Sequence, residues 1–212
     1  MSRYRDGLNG AAVALVVLAG CAGGSDESSR STPRPAKEMK AVRAIREAGG
    51  EVTWDETPAG KSVVGVRLSG KKVGDEILTG FDELEFLRNL SLFDTSVTAD
   101  GLARLRNNRR LTALELSYTE VTDAGLAEVK HLKGLQKLDL SFTRVTDAGL
   151  ANLEEFDELR ELNLGMTQVT DAALPDLKKL KRLKILSVSA TKMTAAGREE
   201  LQAALPGCEV RH

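Results

Sequence analysis

One six-residue phrase recurs at intervals of 24 residues along most of this chain of 212 residues. Its copies are VTADGL at 97–102, VTDAGL at 121–126 and 145–150, VTDAAL at 169–174 and MTAAGR at 193–198. Six units of 24 residues align without a gap, and they begin at Val63, Leu87, Leu111, Leu135, Leu159 and Leu183. A fixed period in this range is typical of arrays in which each unit packs mainly against its neighbours. The repeat therefore predicts a stack of similar coils.

Apolar residues recur within each unit at positions 1, 4, 6, 11, 16 and 19. In the third unit these are Leu111, Leu114, Leu116, Val121, Leu126 and Val129. The L-x-L alternation predicts a short strand in which Leu114 and Leu116 point inward and Glu115 points outward. Because such a strand is unstable alone, strands of successive units are expected to pair about 4.8 Å apart.

Polar residues in each unit predict how the chain leaves the strand. Threonine occupies position 9 in five units, at Thr95, Thr119, Thr143, Thr167 and Thr191. These hydroxyl groups are expected to satisfy backbone groups in the turn. In the phrase itself, Thr122 is expected to cap a helical segment, Asp123 to lie favourably at its N-terminus, and Gly125 to allow a tight bend. We therefore predict that the phrase is structural, with a row of catalytic threonines as the alternative.

Units of the form L-x-x-L-x-L-x-x-T-x-[VI]-T-D-x-G-L resemble those of leucine-rich-repeat proteins. They are similar in particular to the cysteine-containing repeats of eukaryotic F-box proteins, and the resemblance covers residues 63–207. With its N-terminal segment, the chain is similar to a bacterial leucine-rich-repeat lipoprotein. The resemblance implies an α/β fold: a right-handed solenoid with a parallel β-sheet on its concave side, short helices on its convex side and a helical N-terminal cap.

The ends of the array are predicted to be capped, because terminal units would otherwise expose core. Residues 37–62 are assigned to the N-terminal cap, with a helix over Lys37–Ala48 and a short strand over Glu51–Trp54. The only tryptophan, Trp54, is interpreted as a plug over the first unit, with a ligand platform as the alternative.

Residues 63–212 are assigned to the six repeats and a C-terminal cap strand. Counting on by 24 residues from Leu186 places Val210 at a core position, which predicts a last strand over Cys208–Arg211. Cys208 is interpreted as a partly buried residue of this cap, with a reactive thiol as the alternative.

Residues 1–20 predict an export signal, in which two arginines precede an unbroken apolar run over Ala11–Ala19. The run is too short to span a bilayer, which takes about 20 residues in a helix. It ends in Leu-Ala-Gly-Cys at 18–21, which resembles the lipobox of bacterial lipoproteins. The resemblance implies acyl chains on Cys21. The alternative is an ordinary signal peptide that contains a cysteine.

Residues 21–36 are rich in serine, glycine and proline, and they predict a disordered tether that follows the lipid anchor. Such a chain is expected at the cell envelope, attached to a membrane at the outer membrane or the periplasmic face. The residue after the cysteine is Ala22, which favours the outer membrane in bacteria that sort lipoproteins by this position.

Residues that carry chemistry are scarce. The net charge is −1, so the charge does not favour a nucleic-acid partner. The only histidines, His131 and His212, have no partner at metal-ligand spacing. The sequence also contains no nucleophile elbow and no phosphate-binding glycine loop. It therefore predicts a protein without catalytic residues, metal or cofactor.

Side chains that point out of the predicted sheet are the candidates for binding a partner. At positions 2, 3 and 5 of the units they are polar, and the candidates are Arg88, Glu115, Lys137, Asp139, Arg160 and Asn163. The apolar candidates are Phe93 at position 7 and Tyr118, Phe142 and Met166 at position 8. Because aromatic residues and methionine are enriched at the centres of interfaces, this group favours a binding edge. The alternative is that these side chains only cover the edge between strand and loop.

These expectations favour a non-catalytic, monomeric protein–protein interaction module that a lipid anchor displays on the cell envelope. Its partner would be a protein or another envelope ligand. The alternatives are a self-associating structural envelope lipoprotein and a substrate adaptor similar to F-box proteins, although the sequence contains no F-box segment. An enzyme or its accessory domain is the remaining class, and the scarcity of reactive groups argues against it.

Overall fold

The computed structural model describes residues 36–212 of the chain. The predicted signal peptide, the predicted lipidation residue Cys21 and nearly all of the predicted tether lie outside these residues, so they stay predictions. Among the helices that are described, none combines the length and the apolar composition needed to cross a membrane.

The strands of the described residues form one eight-stranded sheet in which spatial order follows chain order. Strands β1 to β8 comprise Glu51–Thr57, Gly60–Arg67, Asn89–Ser91, Ala113–Glu115, Lys137–Asp139, Glu161–Asn163, Ile185–Ser187 and Glu209–Arg211. β1 and β2 are antiparallel, and each later strand pairs in parallel with the one before it. The register advances by one unit per strand, so Leu114 lies opposite Leu138. The predicted parallel sheet is confirmed.

Helical segments connect the parallel strands. The α-helices α1 to α6 comprise Ala36–Glu47, Ala99–Leu102, Asp123–Val129, Asp147–Leu150, Leu174–Leu177 and Ala195–Ala204. Short 3-10 segments extend or replace them at Asp75–Leu78, Phe81–Glu83, Ala103–Asn107, Ala151–Glu155 and Asp171–Ala173. Most of these segments are too short to be stable alone, so their stability comes from packing against the core.

The core lies between the sheet and the helical segments and runs along the array. The apolar positions of the third and fourth units are all buried: Leu111, Leu114, Leu116, Val121, Leu126, Val129, Leu135, Leu138, Leu140, Val145, Leu150 and Leu153. The predicted inward-facing positions are therefore confirmed.

The N-terminal cap is a helix followed by a hairpin rather than by one short strand. β1 continues to Thr57, and its partner β2 begins at Gly60, inside the region assigned to the cap, and ends in the first repeat. The turn between them explains the difference, because Gly60 has a φ of 90°, which glycine adopts without strain. The residues after Trp54 are mostly polar, so the alternation of apolar and polar residues does not predict that the strand continues beyond it. Trp54 itself packs partly buried against the core, as expected of a plug.

The last strand lies where the repeat predicts it. Within β8, Val210 lies opposite Leu186 of β7. Cys208 is buried beside it, and this burial raises the pKa of its thiol. Because the thiolate is the reactive form, the structure favours a packing role for Cys208.

One side chain covers the open edge of β8. The Gln202 amide donates from Nε2 to the Cys208 carbonyl at 2.9 Å and accepts at Oε1 from the Val210 N–H at 3.2 Å. A side-chain amide offers the same donor and acceptor as a peptide group, so Gln202 takes the place of part of a neighbouring strand.

The threonines at position 9 act as predicted. In all five units the hydroxyl donates to the carbonyl three residues earlier, at 2.6–2.8 Å. Thr119, for example, donates to the Leu116 carbonyl at 2.6 Å. Each hydroxyl thus satisfies a backbone acceptor at the point where the strand ends.

The aspartate and threonine of the recurring phrase link neighbouring units. Asp123 accepts hydrogen bonds from the Thr146 backbone N–H at 2.8 Å and from its hydroxyl at 2.7 Å. The same pair of bonds joins Asp75 to Thr98, Asp147 to Thr170 and Asp171 to Thr194. In the last pair, these bonds lower the pKa of the Asp171 carboxyl group. We call this series the Asp–Thr ladder.

The ladder is interrupted before the third unit. The threonines that cap the following helical segment are Thr98, Thr146, Thr170 and Thr194. Thr122 makes no such hydrogen bond, so the cap predicted at this residue is wrong. The preceding unit carries Ala99 in place of the aspartate, which leaves Thr122 without its carboxylate partner.

The glycine of the phrase permits close packing rather than a bend. A Cβ atom at Gly101, Gly149 or Gly197 would lie 2.1–2.3 Å from the aspartate Oδ1 of the preceding unit. At Gly125, which lies inside α3 without a positive φ, it would lie 2.9 Å from the Val121 side chain. The tight bend expected at Gly125 is therefore wrong, because the absence of a Cβ there makes room for the Val121 side chain of the same unit.

Exchanging Ala99 and Asp100 is expected to complete the Asp–Thr ladder. The variant Ala99→Asp/Asp100→Ala keeps the composition and net charge, and it places a carboxylate opposite Thr122. Two hydrogen bonds to a charged acceptor at this partly exposed site should raise the free energy of unfolding by about 1 kcal/mol. Urea unfolding followed by circular dichroism measures the change.

The reverse exchange in the fourth unit, Asp147→Ala/Ala148→Asp, is the matched control. It removes the two bonds to Thr170 and should lower the free energy of unfolding by a similar amount. If the free energy of unfolding falls in this variant but does not rise in Ala99→Asp/Asp100→Ala, the introduced carboxylate does not form the two hydrogen bonds to Thr122.

Candidate binding surface

The residues at position 8 share an uncommon backbone conformation. Asp94, Tyr118, Phe142, Met166 and Ala190 have φ angles of 56°, 60°, 55°, 58° and 53°, all in the left-handed region. The N–H of Tyr118 donates to the Ser141 carbonyl of the next unit at 3.1 Å, and Asp94, Phe142 and Met166 repeat the bond. Ala190 adopts the same conformation without this bond, so the conformation belongs to the turn that follows each strand. The conformation costs roughly 1 kcal/mol for a residue other than glycine. The backbone conformation at position 8 therefore does not explain why tyrosine, phenylalanine and methionine occur there.

Four apolar side chains stand together at this edge of the sheet, and we call Phe93, Tyr118, Phe142 and Met166 the aromatic row. They are 40%, 40%, 38% and 50% exposed, which sets them apart from the buried leucines beneath them. The Phe93 and Tyr118 rings meet edge to face, with centroids 5.4 Å apart. The Tyr118 and Phe142 rings are stacked, with centroids 4.0 Å apart and planes 14° apart. The structure thus brings all four apolar candidates together.

The stacking decides which parts of the rings a ligand can reach. Tyr118 and Phe142 cover one face of each other, so these two faces are closed to a ligand, whereas ring edges and the Met166 thioether contribute to the exposed surface. A ligand that stacks flat, such as a nucleobase, needs a free ring face. Ring edges and a thioether are better suited to apolar side chains of a polypeptide.

The polar candidates lie on the exposed face of the sheet, beside the aromatic row. Glu115 accepts hydrogen bonds from the Ser91 hydroxyl at 2.6 Å and the Ser117 hydroxyl at 3.3 Å. Asp139 accepts from the Ser141 N–H at 2.8 Å and hydroxyl at 2.7 Å, and from the Asn163 amide at 3.0 Å. Ser117 and Ser141, at position 7, were not among the predicted site residues, although each directly precedes an aromatic residue in the repeat.

The basic candidates on this face lie within ion-pair distance of acidic neighbours. The Lys137 Nζ lies 2.7 Å from Glu161, the Arg88 guanidinium 3.8 Å from Asp55, and the Arg160 guanidinium 4.0 Å from Glu158. All these pairs are substantially exposed, so each contributes little to stability.

The structure also gives the surroundings of the groups considered for chemistry. Within residues 36–212, no group of three or more His, Cys, Asp or Glu side chains could hold a metal ion. His131 is half-buried, and its Nε2 lies 3.3 Å from the Leu105 carbonyl of the preceding unit.

Comparison with known families agrees with this architecture. The sequence pattern of the leucine-rich-repeat family matches residues 107–129 and 131–153, which include most of the third and fourth units. No curated protein matches the chain in sequence.

Several solved structures of bacterial leucine-rich-repeat proteins have a similar fold. Internalin C2 of Listeria monocytogenes has a TM-score of 0.54 and 19% identity, covering 86% of this chain and 88% of its own. Internalin F of the same organism has a TM-score of 0.53 and 18% identity, covering 83% of this chain and 55% of its own. A leucine-rich-repeat protein of Leptospira interrogans has a TM-score of 0.53 and 22% identity over 69% of this chain, which spans only 35% of that protein's chain. At these identities, the similarity shows the fold.

Proposed function

We propose that this array of leucine-rich repeats binds another polypeptide without catalysing a reaction, and that a lipid on Cys21 holds it at the cell envelope. The observation that carries the proposal is the aromatic row, in which four apolar side chains are exposed side by side. Tyrosine and phenylalanine supply large contact areas and lose little conformational entropy on binding, because they have only two side-chain torsions.

The position of the row supports an interface. Tyr118, Phe142 and Met166 occupy a left-handed backbone conformation that is unfavourable for these residue types, and at least a third of each of the four residues remains exposed. Contiguous exposed apolar surface is characteristic of interaction sites. The polar residues beside the row, among them Arg88, Lys137 and Arg160, would form the rim that surrounds an apolar centre.

The lipid anchor is proposed from the sequence at 18–21. Residues 22–36 would then connect the membrane to the array, and a flexible chain of this length reaches about 20 Å on average. This distance would hold the array clear of the lipid headgroups and leave the aromatic row accessible to a partner.

Replacing both stacked rings by asparagine tests the proposed binding surface. Asparagine tolerates the left-handed conformation, so Tyr118→Asn/Phe142→Asn should preserve the fold while it removes the apolar surface. Aromatic residues at the centre of an interface commonly contribute about 2 kcal/mol or more, so the affinity for the partner should fall at least ~30-fold. Quantitative crosslinking and pulldown from envelope fractions, with wild type and variant in parallel, measure the loss.

Ala190→Asn is the matched control, because this residue has the same backbone conformation at position 8 but lies outside the aromatic row. It should retain every protein that the wild type captures. Equal capture by the wild type, the control and the double variant would remove the aromatic row as the binding surface.

A further inference from the structure

Two carboxylates lie on the same rungs as the stacked rings, because Glu115 and Asp139 precede Tyr118 and Phe142 by three residues in the chain. Glu115 of β4 and Asp139 of β5 are register partners on adjacent parallel strands, so their backbones are about 5 Å apart. Both side chains are half-buried on the exposed face of the sheet. We call Glu115 and Asp139 the carboxylate pair.

Neutral donors hold both members of the carboxylate pair in place. Glu115 accepts from the Ser117 hydroxyl, and Asp139 accepts from the N–H and hydroxyl of Ser141. These two serines immediately precede Tyr118 and Phe142 in the chain. The carboxylates are thus held in defined positions next to the rings before any partner binds.

The negative charge of the pair is not balanced by an ion pair within residues 36–212. Lys137 lies on the same face, but its Nζ is 2.7 Å from Glu161. Arg88 and Arg160 pair with Asp55 and Glu158. The Lys71 Nζ donates to the Tyr118 carbonyl and lies 3.2 Å from Asp94. The serine and asparagine donors satisfy hydrogen-bonding capacity but carry no positive charge. Each of these cations thus has another partner, and the two carboxylates form no ion pair within residues 36–212.

We infer that the polypeptide bound by the aromatic row carries a lysine or arginine that contacts the carboxylate pair while neighbouring apolar side chains pack against the row. This inference rests on the proposed function and adds the chemistry of the partner. Complementary charge next to an apolar contact selects among partners and fixes the register of the bound segment. Acidic segments are excluded by the same charges.

Selection of binding peptides tests this inference. A displayed library of random peptides is selected against the full chain, against Tyr118→Asn/Phe142→Asn, and against Glu115→Gln/Asp139→Asn. The last variant removes both charges and keeps one acceptor oxygen at each residue with nearly the same side-chain shape, and circular dichroism checks that its fold is unchanged. We expect peptides that combine apolar residues with lysine or arginine to be enriched by the wild type and lost with the ring variant. The basic residues should no longer be enriched with the charge variant.

A synthetic peptide from the wild-type selection then measures how much the basic residue contributes to the affinity. Replacing its basic residue by glutamine should weaken binding to the wild type about tenfold and leave binding to Glu115→Gln/Asp139→Asn unchanged. Two results would overturn the inference and leave the proposed function intact. One is that the peptides that depend on the rings are not enriched in lysine or arginine. The other is that the glutamine substitution weakens binding equally to the wild type and to Glu115→Gln/Asp139→Asn. If no selected peptide depends on the rings, both proposals fail.

Discussion

Leu138→Ala is expected to lower the free energy of unfolding by about 3 kcal/mol. Leu138 is 2% exposed, and it lies in β5 between Leu114 and Leu162 of the adjacent strands. Removing its side chain leaves a cavity in the middle of the array, where neither neighbouring unit can move inward without losing its own contacts. Because stability in repeat arrays depends on contacts between nearest neighbours, one cavity weakens two of them. Chemical unfolding monitored by circular dichroism measures the effect.

Lys137→Ala is the matched control for this change. Lys137 precedes Leu138 in the same strand but points to the exposed face, where it pairs with Glu161. Losing an exposed ion pair should cost less than about 1 kcal/mol. If the two variants are equally stable, the inward and outward assignment of this strand is wrong.

Cys21→Ser is expected to abolish lipid attachment and release the mature protein from the membrane. Each buried CH₂ group of an acyl chain contributes about 0.8 kcal/mol, so two chains bind a membrane far more firmly than any surface contact of a small domain. Incorporation of labelled palmitate and recovery in the membrane fraction measure the two effects. The expected result is no label and no membrane-bound mature protein.

Cys208→Ser provides the control, since the chain contains only two cysteines. Cys208 is buried in the C-terminal cap, so the variant should be labelled as strongly as the wild type. Label that persists in Cys21→Ser would show that the sequence at 18–21 is not a lipidation site.

The fold could be predicted because one constraint is repeated many times. Leu114, Leu138 and Leu162 occupy the same position of successive units, and burying any one of them requires the same strand and the same turn. The hairpin of the cap could not be predicted in the same way, because it occurs once and its second half is polar. Its signal was the turn that ends at Gly60.

The candidate site was predicted in composition but not in geometry. The spacing placed Tyr118 and Phe142 on adjacent rungs, and the structure shows their rings stacked. Their left-handed backbone had no sequence signal, because neither residue type favours that conformation, which five successive units share whatever their side chain. The bond from Asp123 to Thr146 was also concealed, since it joins residues that only the stacking of units brings together.

The uniform backbone at position 8 separates recognition from folding. Five chemically different side chains, from aspartate to phenylalanine, occupy this position with φ angles between 53° and 60°. The conformation is the same for all five side chains, so different residues fit there, at the smallest cost for asparagine and aspartate and the largest for residues with a branched Cβ. Single substitutions at position 8 can therefore change the binding specificity of this edge without compensating substitutions in the core.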